Sequence, residues 1–161
     1  MRAIGVSNFT VAHLEHLKTI ATVWPPAVNQ VELHPMYQQA ELQDYCRKEG
    51  IRLQAYASLG GQDASKAKWM QLGGRLVEQQ AVLAAAVAHG RSTAQVLLRW
   101  ALQKGVAVVP KANGEARMAE NLAVGGFALT AEESEAIGEL EKGGEGRLCW
   151  KSDPLRMLEF P

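Results

Sequence analysis

The chain has 161 residues, with 17 Lys+Arg against 17 Asp+Glu, so its formal net charge is zero. That balance excludes a nucleic-acid binder working by bulk electrostatics, which needs a basic surplus or stripe, and a highly charged disordered tail. With 47% hydrophobic residues the chain can bury a real core, and one domain is the length prior.

Taken in chain order, Ala3 to Val6, Ala27 to Leu33 and Ile51 to Tyr56 are short apolar runs that read as buried strands, and Val106 to Val109 is a β-branched fourth that stops at Pro110. Continuous rather than alternating runs suit parallel strands covered on both faces. After the first strand, Val11, Leu14, Leu17 and Ile20 recur every third residue and predict a helix with a narrow apolar stripe. Leu42, Tyr45 and Cys46 mark a second helix from about Gln39 to Lys48, closed by Gly50. Gly60-Gly61 and Gly73-Gly74 bracket a segment read as a loop, Gln62 to Arg75. Leu76 to Ala88 predicts a third helix that stops at His89-Gly90. Ser92-Thr93-Ala94-Gln95 is a capping box opening a fourth, and Thr130-Ala131-Glu132-Glu133 opens another that runs through Leu140. The tail from Gly143 to Pro161 has no helical period; it either wraps the surface or stays mobile. Strand–helix alternation of this kind implies a parallel sheet built from right-handed βαβ units.

Two cysteines, Cys46 and Cys149, lack CxxC spacing, so neither a disulfide framework nor a zinc ribbon is supported, and no metal site is expected. The N-terminal residues show no signal-peptide pattern, and no stretch reaches the roughly 18 apolar residues of a membrane span. The reading is a soluble, cytoplasmic protein with neither nucleic acid nor membrane as partner.

Polar and aromatic groups gather where each strand ends. Ser7-Asn8-Phe9 follows the first, Gln30 to Pro35 closes the second, Tyr56-Ala57-Ser58-Leu59-Gly60 the third and Pro110-Lys111-Ala112-Asn113 the fourth. The C-terminal ends of parallel strands are where α/β folds bind ligands. Taken singly, each residue has a structural explanation: Asn8 in a tight turn, Gln30 on buried backbone, Tyr56 in the core. Recurrence at four strand ends favours a site. Lys111 and Arg117 bracket the start of a helix, where backbone N–H groups already favour an anion; Arg offers a planar fork for phosphate oxygens and Lys a point charge. The competing reading is two solvated cations beside Glu115 and Glu120.

Arg2 to Phe9, Val28 to Pro35 and Leu53 to Gly60 resemble successive blocks of the aldo-keto reductases, and Val109-Pro110-Lys111 with Arg117, Glu120 and Asn121 resembles that family's phosphate-end signature. Leu98 to Gln103 and Arg147-Leu148-Cys149-Trp150 also fit, so the resemblance covers nearly the whole chain. It implies an NADP-dependent (β/α)8 barrel enzyme that reduces aldehydes and ketones to alcohols. By that resemblance Ser7, Asn8 and Gln30 hydrogen-bond the nicotinamide carboxamide, Tyr56 stacks on the nicotinamide, and Leu59 and Gly61 lie along the pyrophosphate. Lys111 and Arg117 hold the adenosine 2′-phosphate, making NADP(H) the expected cofactor. Glu120 and Asn121 contact the adenine end, and Trp150 with the tail borders the substrate pocket. The chain departs from the family in having Ala57-Ser58 after the stacking Tyr, where Ser-Pro is common, and Ala112 after the phosphate-binding Lys, where Ser or Thr is usual.

The first strand here resembles the family's fifth. The expected fold is therefore α/β, a partial (β/α)8 TIM barrel of four parallel strands with flanking helices, over residues 1–142, followed by a C-terminal loop or tail at 143–161. A complete barrel needs roughly 200 residues or more. The family's catalytic Tyr, Lys, Asp and His come from its first four strands, and none is assigned here. His34 and Tyr37 belong to the second-strand block and are read as structural. The expectation is thus a cofactor-binding half with little or no activity of its own, taking a small-molecule carbonyl substrate when an N-terminal half completes it. Its open sheet edges favour self-association. A non-catalytic NADP(H)-binding or interaction module and an inactive truncated product stay open as alternatives.

Overall fold

A computed structural model describes residues 3–61 and 66–149. Four strands, β1 (Gly5–Ser7), β2 (Val28–Glu32), β3 (Arg52–Tyr56) and β4 (Ala107–Val108), form one parallel sheet in the order β1-β2-β3-β4. The helices are α1 (Val11–Ile20), α2 (Ala40–Glu49), α3 (Lys66–Gln71), α4 (Gln80–His89), α5 (Thr93–Gln103), α6 (Glu115–Leu122) and α7 (Ala131–Gly138). Among the described residues no helix is long and apolar enough to cross a membrane.

Register sets which side chains share a face. Val28, Gln30 and Glu32 of β2 lie beside Arg52, Gln54 and Tyr56 of β3, while the alternate residues Val31, Leu53 and Ala55 are buried. The buried row packs with Leu42, Cys46, Val96, Leu97, Trp100 and Ile137 into one core. The expected coverage of both faces is corrected here: helices bury one row, and the other carries Gln30 and Gln54, whose side chains bond at 2.5 Å.

Each helix boundary has a local cause. Ser92 and Thr130 cap α5 and α7 through the anticipated boxes. Thr10 caps α1 with His13 in the Glu position of the box, a pairing the sequence pattern does not flag. Gly50 ends α2 in the left-handed region at φ 75°.

Four expectations are corrected. Leu14 is buried but Ile20 is 65% exposed, because steps of three residues drift by about 60° each on a helix turning about 100° per residue. The helix expected over Leu76 to Ala88 is broken: a 3-10 turn spans Leu76–Glu78 and Gln79 is extended. The Gln79 amide donates to the carbonyls of Gly73, Gly74 and Arg75, tying the preceding turn back onto the break. The segment read as a loop contains α3. The last helix ends at Gly138 rather than Leu140.

The chain after α7 is docked, not loose, as far as Cys149. Lys142 N–H donates to the Met36 carbonyl at 3.0 Å, Gln38 N–H to Glu141 at 2.7 Å and the Gln38 amide to the Gly138 carbonyl at 2.6 Å. Gly146 crosses so close to Met36 that a Cβ there would lie 1.7 Å from its carbonyl oxygen. Only glycine fits at that crossing.

Candidate cofactor site

A cleft of about 670 Å³ opens at the C-terminal ends of β3 and β4, lined among others by Tyr56, Leu59, Gly61, Lys111, Arg117, Glu120 and Asn121. Its floor follows from the turn after β3. Ala57 adopts φ 53°, Gly60 N–H closes onto the Ala57 carbonyl at 2.7 Å, and Gly60 and Gly61 follow at φ 93° and 68°. The positive φ at Gly60 favours glycine, and a Cβ there would also have to displace the tip of the Trp69 indole, 2.6 Å away. Ser58, where the resemblance expects Pro, is buried and donates its hydroxyl to the Ala55 carbonyl at 3.1 Å, stitching the turn to the strand it leaves.

The cationic wall is Lys111, on the loop after β4, and Arg117, in the first turns of α6. Neither makes an ion pair among the described residues. Both side chains are exposed, and neither is neutralised by Glu115 or Glu120. Glu120 is engaged elsewhere: its carboxylate accepts a short hydrogen bond from the Ser92 hydroxyl, and its carbonyl accepts from the Gln95 amide at 3.0 Å. Both contacts fix α6 against the N-terminus of α5.

Ser7, at the end of β1, and Asn8 after it sit beside Gln30, in the middle of β2, rather than on the cleft wall. Asn8 takes φ 59°, its N–H bonds the Gln30 carbonyl at 2.9 Å, and Ser7 Oγ donates to the same carbonyl at 2.9 Å. The group reaches the cleft through Tyr56, whose hydroxyl donates to Asn8 Oδ1 at 2.9 Å. Asn29, fully buried, holds this loop in place: its amide donates to the Phe9 carbonyl at 2.8 Å and its oxygen accepts the Phe9 N–H at 3.3 Å. The "Asn-Gln" pair in the sequence thus divides its labour by strand alternation, one residue supporting and one facing outward.

Sequence reasoning missed Glu32. This carboxylate is 2% exposed and accepts Leu148 N–H at 2.6 Å, Cys149 N–H at 3.2 Å and His34 Nε2 at 3.1 Å. Burial alone would raise it, but the His34 bond and the two backbone donors outweigh burial and hold it below the ordinary carboxylate value. A small polar cavity of about 40 Å³ lies beside it, lined by Asn8, Glu32, Tyr37, Tyr56 and Arg147 among others. Trp150 and the rest of the tail, assigned to a substrate border, lie outside the described residues.

A parallel sheet with flanking helices and a cationic cleft at its C-terminal strand ends is an α/β architecture of the β/α type, with its cleft on the face where such folds bind ligands. Comparison with known proteins makes this specific. The model of the aldo/keto reductase family matches residues 1–142. Glyoxal reductase of Bacillus subtilis (strain 168) is 44% identical over 142 residues, covering 88% of this chain and 47% of that protein. D-galacturonate reductase of Fragaria ananassa is 43% identical over 142 residues, covering 86% and 42%. The crystal structure of Gox0644 at apoform superposes with TM-score 0.80 at 38% identity, covering 95% of this chain and 51% of that one. A mutant of Gox0644 in complex with NADPH gives TM-score 0.81 at 37% identity, covering 96% and 51%. The chain belongs to the aldo/keto reductase family, and it spans about half the length of the relatives it matches.

Proposed function

We propose that this chain is the NADP(H)-holding part of a carbonyl reductase that converts aldehydes or ketones to alcohols. The observation that carries the reading is the pair Lys111 and Arg117, both without ion-pair partners among the described residues and both on one cleft that ends at Tyr56. The cleft is within the roughly 300–1,000 Å³ of small-molecule sites, with apolar walls from Leu59, Val77 and Val109.

The residues present suit the cofactor's chemistry. A 2′-phosphate calls for cations in fixed positions, which Lys111 and Arg117 supply. A carboxamide needs two acceptors and a donor; Ser7 Oγ and Gln30 Oε1 keep acceptor capacity beyond their internal bonds, and Asn8 Nδ2 is a donor. Tyr56 is pinned by Asn8, so its ring offers a flat platform in one orientation. NADPH, when bound, supplies the hydride. The chain's own contribution is to bind and orient; the general acid that protonates the carbonyl oxygen, worth typically 10²–10⁴-fold, has no assigned counterpart among the described residues. Support for the cofactor class comes from the NADPH complex of the Gox0644 mutant.

The test is to measure NADPH binding and consumption with a panel of aldehydes, using the chain alone and the chain joined to the first four β/α units of an aldo/keto reductase. Binding in both and turnover in the joined protein alone support the proposal. Binding without turnover in either makes the chain a non-catalytic NADP(H)-binding module; no binding in either overturns the reading.

A further inference from the structure

The segment after α7 runs past two different sites in consecutive residues. Arg147 lines the small polar cavity with Glu32, Tyr37 and Tyr56. Leu148 packs on the core. Cys149 lines the cofactor cleft, where a Cβ added to Gly61 would lie 3.1 Å from its Sγ. A slip of one residue would exchange these environments, placing an apolar side chain at the polar cavity and removing the thiol from the cleft wall, as in any extended chain. Gly146 opposes that slip, because a shift of one residue would bring Glu145 or Arg147 to the crossing over Met36, where a Cβ has no room.

What holds the segment down at that register is Glu32. Its carboxylate takes the consecutive N–H groups of Leu148 and Cys149, and His34 Nε2 bonds the same Oε1 that takes Leu148 N–H. Glu32 is also the register neighbour of Tyr56, so one residue joins the end of β2, beside the platform residue of β3, to the outer wall of the cleft. We infer that Glu32 is a positioning residue whose carboxylate anchors residues 147–149 at the register that Gly146 sets, holding Arg147 at the polar cavity and Cys149 on the cofactor cleft. The binding consequence of this inference rests on the NADP(H) reading; the anchoring itself does not.

The experiment compares the full chain with Glu32→Ala and Glu32→Gln. Three quantities are read: amide exchange at Leu148 and Cys149, alkylation of Cys149 (a Cys149→Ser chain subtracts the buried Cys46), and NADPH affinity. Glu32→Ala accelerates exchange and alkylation by about tenfold or more, as expected for losing hydrogen bonds to a charged acceptor, and weakens NADPH severalfold, while the amides of β2 and β3 keep their protection. Glu32→Gln keeps one acceptor oxygen and falls between the two, a rescue that a role in bulk packing would not produce. Unchanged exchange and alkylation in Glu32→Ala overturn the inference. If Glu32→Ala loses protection throughout the sheet, Glu32→Gln decides: faster exchange confined to Leu148 and Cys149 supports the anchor, and wild-type exchange there overturns it. A wild-type chain that ignores NADPH but shows the amide and thiol responses refutes the cofactor reading and leaves the anchor standing.

Discussion

The Glu32 carboxylate at the end of β2 accepts the Leu148 backbone N–H at 2.6 Å, across 116 residues of sequence. Because the folded carboxyl is held below its ordinary value of 4.5 by His34, Leu148 and Cys149 against the opposing effect of burial, its stabilisation is complete above the unfolded carboxylate value. It is lost as pH falls through the folded value. Glu32 is faced by His34, Tyr37, Tyr56, Arg147 and Cys149. Glu49, lowered by Lys18 and Trp24, and Glu133, lowered by His89 and Thr130, add to the same acid limb. Glu32→Gln therefore leaves an acid limb but makes it shallower. Urea midpoints measured from about pH 6 to about pH 3 check this; an unchanged slope contradicts it.

Gly146→Ala places a Cβ 1.7 Å from the Met36 carbonyl oxygen. Backbone cannot yield as a flexible side chain does, so the crossing must open, at a cost of about 1–3 kcal/mol in the manner of other overpacked sites. The expected result is a thermal midpoint lower by several degrees, with faster exchange at Lys142, whose N–H bonds the same carbonyl. Gly144→Ala, where no atom lies within 4 Å of the added Cβ, serves as the control and changes neither.

Thr130 and Ser92 cap different helices, but only Ser92 has a second task. Thr130→Ala costs about 1 kcal/mol, the usual value of an N-cap, and leaves the cleft intact. Ser92→Ala loses the cap on α5 and also the hydroxyl bond to Glu120 that ties down α6. It is expected to cost more stability than Thr130→Ala and, unlike it, to weaken NADPH binding through displacement of Arg117. Paired melting curves and NADPH titrations of the two variants separate these outcomes.

Local signals explain what the sequence made readable. Ser92 and Thr130 announce their helices, Gly50 closes one, and the polar groups after the third and fourth strands line the cleft at that end of the sheet. Lys111 and Arg117 are legible because they sit beside a helix start. The errors have equally specific causes. Ala3 and Ile4 look like strand but lie outside β1, with Ile4 43% exposed at the sheet's edge. Gln79 breaks a helix through side-chain bonds that no periodicity reports. Glu32 reads as an ordinary strand-end acid because its principal partners are backbone N–H groups at the opposite end of the chain. Backbone donors carry no sequence signature, so such an anchor becomes visible only in three dimensions.

On the proposed function, Lys111 and Arg117 make this cleft a site for the 2′-phosphate of NADP(H). The most direct measurement of this is the dissociation constant for NADPH and for NADH, read from tryptophan fluorescence with the wild-type chain and with Lys111→Ala, Arg117→Ala and the double variant. Each single substitution is expected to weaken NADPH about tenfold, equivalent to about 1.4 kcal/mol, and to leave NADH nearly unchanged, so that the double variant no longer prefers NADPH. An NADPH affinity equal to that for NADH in the wild-type chain, or unaltered by both substitutions, contradicts the claim.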